Sequence, residues 1–162
     1  LRIELKKIQK DLNATILYVT HDHIEATTMA DRIGVLKDGV LSQIGTPEEI
    51  YDNPNSIYVA NRLGSPKINI FDLGKTKIPS KNKATHAGIR PEDISITNKG
   101  HYDVYIETVE LLGAETVISF KSDNINGMIL TQTSDTFEEG KKIKIALNNK
   151  KMLYFDNNGM RI

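Results

Sequence analysis

The hydrophobic pattern of this chain changes period once, around Gly64-Ser65-Pro66, and that break limits what it can fold into. Before it, apolar residues recur at helical spacing or gather in one short run. Beyond Asn69 they alternate in runs at 68–71, 86–89, 94–96, 104–109, 116–120, 128–130 and 143–147, the spacing of strands that turn one face to a core. Asn126-Gly127, Glu139-Gly140 and Asn158-Gly159 lie among them as turn signals. Many short, closely spaced strands predict a small barrel, with an OB-like one as the expected form. The 162 residues therefore read as two units, 1–66 and 67–162, and 39% hydrophobic content suffices for a packed core.

The first unit opens with Leu1, Leu5, Ile8 and Leu12 on one helical face and Lys6, Lys7 and Lys10 largely outside it. The run from Thr15 to Val19 reads as a strand buried on both faces, as in parallel sheets, with His21 and Asp22 at its exit. Loops at the C-terminal ends of such strands converge on ligand crevices, which aims His21 at a ligand. Asp22 and Glu25 have the spacing of a capping box, predicting a helix to about Ala30. Asp38-Gly39 between two apolar runs predicts a hairpin. Thr46-Pro47-Glu48-Glu49 starts a further helix that Asp52-Asn53-Pro54-Asn55 stops, and Ser56 caps a last short one ending at Gly64.

Several chemistries fall away on composition. The chain has no cysteine, which removes disulfides, thiolate nucleophiles and cysteine metal sites. Lys+Arg 21 balance Asp+Glu 21, leaving no excess positive charge to hold a nucleic-acid backbone. No apolar run approaches the ~20 residues of a membrane span. His21-Asp22-His23 is a poor metal fragment, because adjacent side chains diverge and no third ligand is near in sequence. His21 and Asp22, as chain neighbours, are also unsuited to face each other in a catalytic triad. Spacing alone leaves two roles open for His21: a ligand contact, or a satisfied histidine at a strand end.

Tyr18-Val19-Thr20-His21-Asp22, Glu25-Ala26, Ala30-Asp31-Arg32-Ile33, Asp38-Gly39 and Gly45-Thr46-Pro47-Glu48-Glu49-Ile50-Tyr51 together resemble, in register, the H-loop region of ABC transporter ATP-binding subunits. His23 stands where that family usually has glutamine, and Thr27 where it has methionine. Gly64-Ser65-Pro66-Lys67-Ile68-Asn69 resembles the domain junction of the sugar importers. The stretches 88–93, 110–116 and 153–156 resemble their transport-associated OB module.

The resemblance implies an α+β chain. Residues 1–66 would be the C-terminal remnant of an α/β P-loop ATPase domain, and 67–162 an OB-like regulatory domain. It implies that His21 is the switch histidine, catalytic in the intact ATPase through the γ-phosphate of ATP and the attacking water. It further implies ATP and Mg²⁺ as cofactors of the parent protein, a homodimer, membrane permease subunits and a solute-binding protein as partners, and a cytoplasmic place at the inner face of the membrane.

A phosphate cradle needs Gly-x-x-x-x-Gly-Lys-Ser/Thr, and Gly34 to Gly39 has the glycines but continues Val40-Leu41. The Leu-Ser-Gly-Gly-Gln signature and the magnesium-holding carboxylate run are not in the sequence either. The chain is therefore expected to be the C-terminal part of a longer protein, with no cofactor or metal site of its own. The rival expectation is a free-standing OB-like module for a small ligand or single-stranded nucleic acid; 6% aromatic residues give it few stacking platforms.

Overall fold

Antiparallel pairing accounts for every ladder among the described residues, which in this computed structural model are 2–81, 83–132 and 136–162. The chain divides into two compact units, residues up to 55 with 59–64, and 56–58 with 65–162.

The first unit holds α1 (Arg2–Leu12), α2 (His23–Met29), β1 (Ile33–Lys37), β2 (Val40–Gly45) and α3 (Pro47–Asp52). Helix α1 meets α2, and Lys6 Nζ donates to the Thr28 carbonyl at 3.4 Å. Its apolar face is mostly uncovered, with Ile8 and Leu12 exposed; Leu1, expected on that face, lies outside the described residues. β1 and β2 form the expected hairpin on Asp38 (φ 51°) and Gly39 (φ 79°), both left-handed as a two-residue turn of the right twist requires. Thr46 and Glu49 make a complete capping box at α3: Thr46 Oγ1 accepts from the Glu49 amide at 3.1 Å and Glu49 Oε2 from the Thr46 amide at 2.8 Å.

The run from Thr15 to Val19 departs from its expectation. Residues 14–20 form no regular element and join no ladder, and Leu17 and Val19 are 92% and 83% exposed. A strand buried on both faces needs hydrogen-bonded neighbours and layers packed above and below. Among the described residues no strand pairs with this segment, so its apolar side chains have nothing to lie against.

Helix α4 (Ile57–Ala60) is divided between the units: residues 56–58 cluster with the second and 59–64 with the first. The second unit is otherwise all strand apart from a 3-10 turn at Pro91–Asp93. It contains β3 (Asn69–Asp72), β4 (His86–Ile89), β5 (Ile94–Ile96), β6 (Tyr102–Leu111), β7 (Thr116–Lys121), β8 (Asn126–Thr131), β9 (Lys142–Leu147) and β10 (Leu153–Phe155). A three-stranded sheet runs β10-β4-β3 and a five-stranded one β5-β9-β6-β7-β8. The edge strands of the larger sheet, β5 and β8, approach each other, so that sheet curls into a nearly closed, OB-like barrel.

Strand β6 makes the curl possible. Residues 102–105 pair with β9, residues 105–111 pair with β7, and a bulge at Glu107 bends the strand between the two partners. Alternate inward residues fill the core: Val104 and Ile106 from β6, Ile118 and Phe120 from β7, Ile129 from β8 and Ile145 from β9. The acidic stretch of β6 is met by the basic stretch of β9, where Lys142 and Lys144 reach Asp103 at 3.3 and 3.4 Å.

Asn69 ties the two sheets together. Its buried side chain accepts from the Met128 amide at 2.7 Å and donates to the Met128 carbonyl at 2.9 Å, standing in for a strand residue. This explains Gly127, where an added Cβ would run into the Asn69 carboxamide. Asn126-Gly127 is thus inside β8 and not a turn as its sequence suggests; the reversal falls at 122–125, where the Ser122 amide donates to the Ile125 carbonyl.

Candidate functional site

The residues that frame His21 come from the segment before it and the first turn of α2 after it. Tyr18 and Thr20, two apart in that segment, turn their hydroxyls to the same place. Both hydroxyls donate to one oxygen, Glu25 Oε2, at 3.1 and 2.9 Å. The Asp22 amide donates to Thr20 Oγ1 at 3.0 Å, closing the backbone over His21. Asp22 then caps α2, its Oδ1 accepting from the Ile24 and Glu25 amides at 2.8 and 3.1 Å.

The capping box expected of Asp22 and Glu25 is therefore only half made. The Asp22 half is present, while Glu25 turns its carboxylate to the two hydroxyls because Thr20 already takes the Asp22 amide. Sequence reasoning gave Glu25 a capping role and overlooked Tyr18 and Thr20. The period-2 spacing of two hydroxyls before a helix carrying a glutamate was the available signal.

His21 itself is exposed, and neither ring nitrogen has a hydrogen-bond partner among the described residues. An imidazole so placed can donate to or accept from a molecule outside the unit. His23 points elsewhere: its Nε2 is buried without a hydrogen-bond partner among the described residues. The two histidines and Asp22 do not converge, and no group of three or more metal-ligating side chains occurs among the described residues. No helix there is long and apolar enough to cross a membrane.

The second unit has an open recess of about 470 Å³ along the seam between β5 and β8, with Glu92, Glu115, Ser95, Thr131 and Phe137 among its lining residues.

Residues 87–155 match the TOBE domain family model. The chain is 40% identical over 137 residues to the sn-glycerol-3-phosphate import ATP-binding protein UgpC of Psychromonas ingrahamii, covering 75% of this chain and 37% of that protein. It is 42% identical over 132 residues to the UgpC of Brucella abortus biovar 1, covering 73% and 38%. With the trehalose/maltose import ATP-binding protein MalK of Thermococcus litoralis it shares 31% identity over 187 aligned positions, covering 96% of this chain and 50% of the relative. The chain thus spans between about two fifths and half the length of these relatives.

Proposed function

Because this chain belongs with the ATP-binding subunits of carbohydrate-type ABC importers and carries their TOBE domain, we propose that it is the C-terminal part of such a subunit. In this reading the first unit completes an ATPase domain and the second regulates it and steadies the subunit pair. The intact protein uses ATP and Mg²⁺ to drive uptake of a sugar or similar solute through membrane permease subunits fed by a solute-binding protein. It sits in the cytoplasm against the inner face of the membrane. The units follow the break at Gly64-Ser65-Pro66, with 1–66 the ATPase remnant and 67–162 the OB-like domain.

One observation carries the reading: a segment with no ladder partner among the described residues, apolar and exposed at Leu17 and Val19, leads into an exposed imidazole whose ring nitrogens have no hydrogen-bond partner among those residues. Residues 14–20 have the composition of a central strand, and pairing within the fuller sheet of an intact ATPase would cover Leu17 and Val19. His21 would then stand at the C-terminal edge of that sheet, where its ring can hydrogen-bond a γ-phosphate and orient the attacking water. Phosphoryl transfer depends on placed charge and donors, and removing one well-placed donor costs about 100-fold or more in turnover.

The test has two arms. The chain alone, titrated calorimetrically with Mg-ATP, is expected to show neither micromolar binding nor turnover; either would sink the reading. In the intact subunit, His21→Ala is expected to lose about 100-fold in hydrolysis with nucleotide binding kept. Equal loss of binding and turnover would assign His21 a folding role instead.

A further inference from the structure

Glu25 is the fixed point of the loop that carries His21. One of its oxygens accepts from Tyr18 two residues before Thr20, and from Thr20 itself. Thr20 Oγ1 in turn accepts from the Asp22 amide, and Asp22 Oδ1 accepts from the Glu25 amide. The hydrogen bonds form a closed circuit, Glu25 to Thr20 to Asp22 and back to Glu25, and His21 is the residue the circuit encloses. Every member of the circuit is spoken for; the His21 ring alone projects out of it. Hydroxyl donors to a carboxylate make charge-assisted bonds, stronger than neutral ones.

Resting on the reading of His21 above, we infer that Glu25 is a positioning residue for ATP hydrolysis: its carboxylate, through Thr20, sets where the His21 Cα–Cβ bond points. Glu25 touches no phosphate in this role. A histidine that must meet a phosphate oxygen is productive only within a few tenths of an ångström, and an error of about 1 Å can cost on the order of 100-fold in rate. The circuit supplies that precision to a loop whose preceding segment has no ladder partner among the described residues. Geometry also says why a glutamate serves: both hydroxyls converge on a single oxygen. Aspartate, shorter by one methylene, carries the same charge but falls short of that point.

Steady-state hydrolysis by the intact subunit tests this. Glu25→Ala and Thr20→Val are expected to lower kcat by about 10- to 100-fold with KM for Mg-ATP little changed. Glu25→Asp should be as impaired as Glu25→Ala, while Thr20→Ser, which keeps the hydroxyl, should retain nearly the parental rate. Placed in a His21→Ala background, Glu25→Ala should add no further loss, because both substitutions remove one action. Full activity in Glu25→Asp would overturn the inference in favour of a charge effect, and additive losses would overturn it in favour of a separate role. If His21→Ala loses turnover while Glu25→Ala keeps it, the inference alone fails. If His21→Ala keeps turnover, the reading of His21 fails and this inference with it. Thr20→Val is nearly isosteric, so the circuit can be broken even where Glu25→Ala disturbs folding, and circular dichroism melting separates the two.

Discussion

Leu17 and Ile118 are both aliphatic residues in the middle of β-branched-rich segments, yet one is 92% exposed and the other fully buried. Their local sequences do not explain the difference. Ile118 lies on β7, with β6 hydrogen-bonded on one side and β8 on the other, and a core layer beneath. The segment around Leu17 has no ladder partner among the described residues. Extended propensity prepares a segment for a sheet; neighbours decide whether it is buried, and therefore whether it stabilises anything. The second unit brings its own neighbours, whereas residues 14–20 of the first have no ladder partner among the described residues.

The largest expected effect follows from cutting the chain between these regions. A chain of residues 67–162 should melt cooperatively by circular dichroism, since its strands pair with one another and its core is self-contained. Residues 1–66 alone should show no cooperative transition. The comparison sharpens if the cut moves upstream, because Ser56 bridges Met160 and the Ile57 amide donates to the Gly159 carbonyl at 2.9 Å. A chain beginning at Ser56 should therefore melt higher than one beginning at Lys67. A non-cooperative melt of both would break the contrast.

Matched truncations come next. Ile118→Ala removes a fully buried side chain and should destabilise the second unit by about 2–5 kcal/mol in urea unfolding. Leu17→Ala in the same chain should change stability by no more than about 0.5 kcal/mol, as for other exposed positions. In an intact ATPase domain, with neighbours supplied, Leu17→Ala should instead approach the cost of a core truncation. Equal effects in this chain would show that residues 14–20 are covered in solution.

Asn69→Ala is expected to fall between these. It strands the amide and carbonyl of Met128, and a buried unsatisfied polar group costs about 1–3 kcal/mol. Asn69→Asp keeps the acceptor for the Met128 amide but cannot donate to its carbonyl, so it should destabilise as well. A stability within about 0.5 kcal/mol of the parent for Asn69→Ala would mean that water replaces the carboxamide.

How far the sequence could be read follows the same contrast. All seven runs named in the second half became strands; in β3, β6 and β9 the pattern encodes one buried and one more exposed face, whereas β4 and β7 are each buried at three successive residues. Strand β10 escaped notice: Leu153, Tyr154 and Phe155 are all buried, so no alternation marks them. Asn126-Gly127 misled because its glycine answers to Asn69, a residue 58 positions upstream. In the first half the hairpin and the capping box of α3 were legible, being set by two to four adjacent residues. The exposure of residues 15–19 was not, since burial depends on which strands lie alongside, and no local pattern shows that. Glu25 was legible as a helix-start glutamate, but its true partners lie in the preceding segment.

The smallest expected effect concerns the charged face of the barrel. Asp103 sits on β6 opposite Lys144 and diagonal to Lys142 of β9. The hydrogen bond from Lys142 leads the causes that hold its carboxyl below the ordinary 3.8; desolvation opposes it, and the charges of Lys142 and Lys144 add to the lowering. The carboxylate form is thus favoured in the folded chain. A depressed folded value contributes stability that is present above the unfolded value near 3.8 and is lost as pH falls through the lower folded value. Asp103→Asn should therefore lower the melting temperature slightly at pH 7, with the difference from the parent vanishing once pH drops well below 3.8. The group and both lysines are about half exposed, so salt screens them, and the difference should also shrink between about 0.05 and 1 M salt. A melting difference that persists in acid or in high salt would show that Asp103 acts through packing of β6 on β9 and not through its charge.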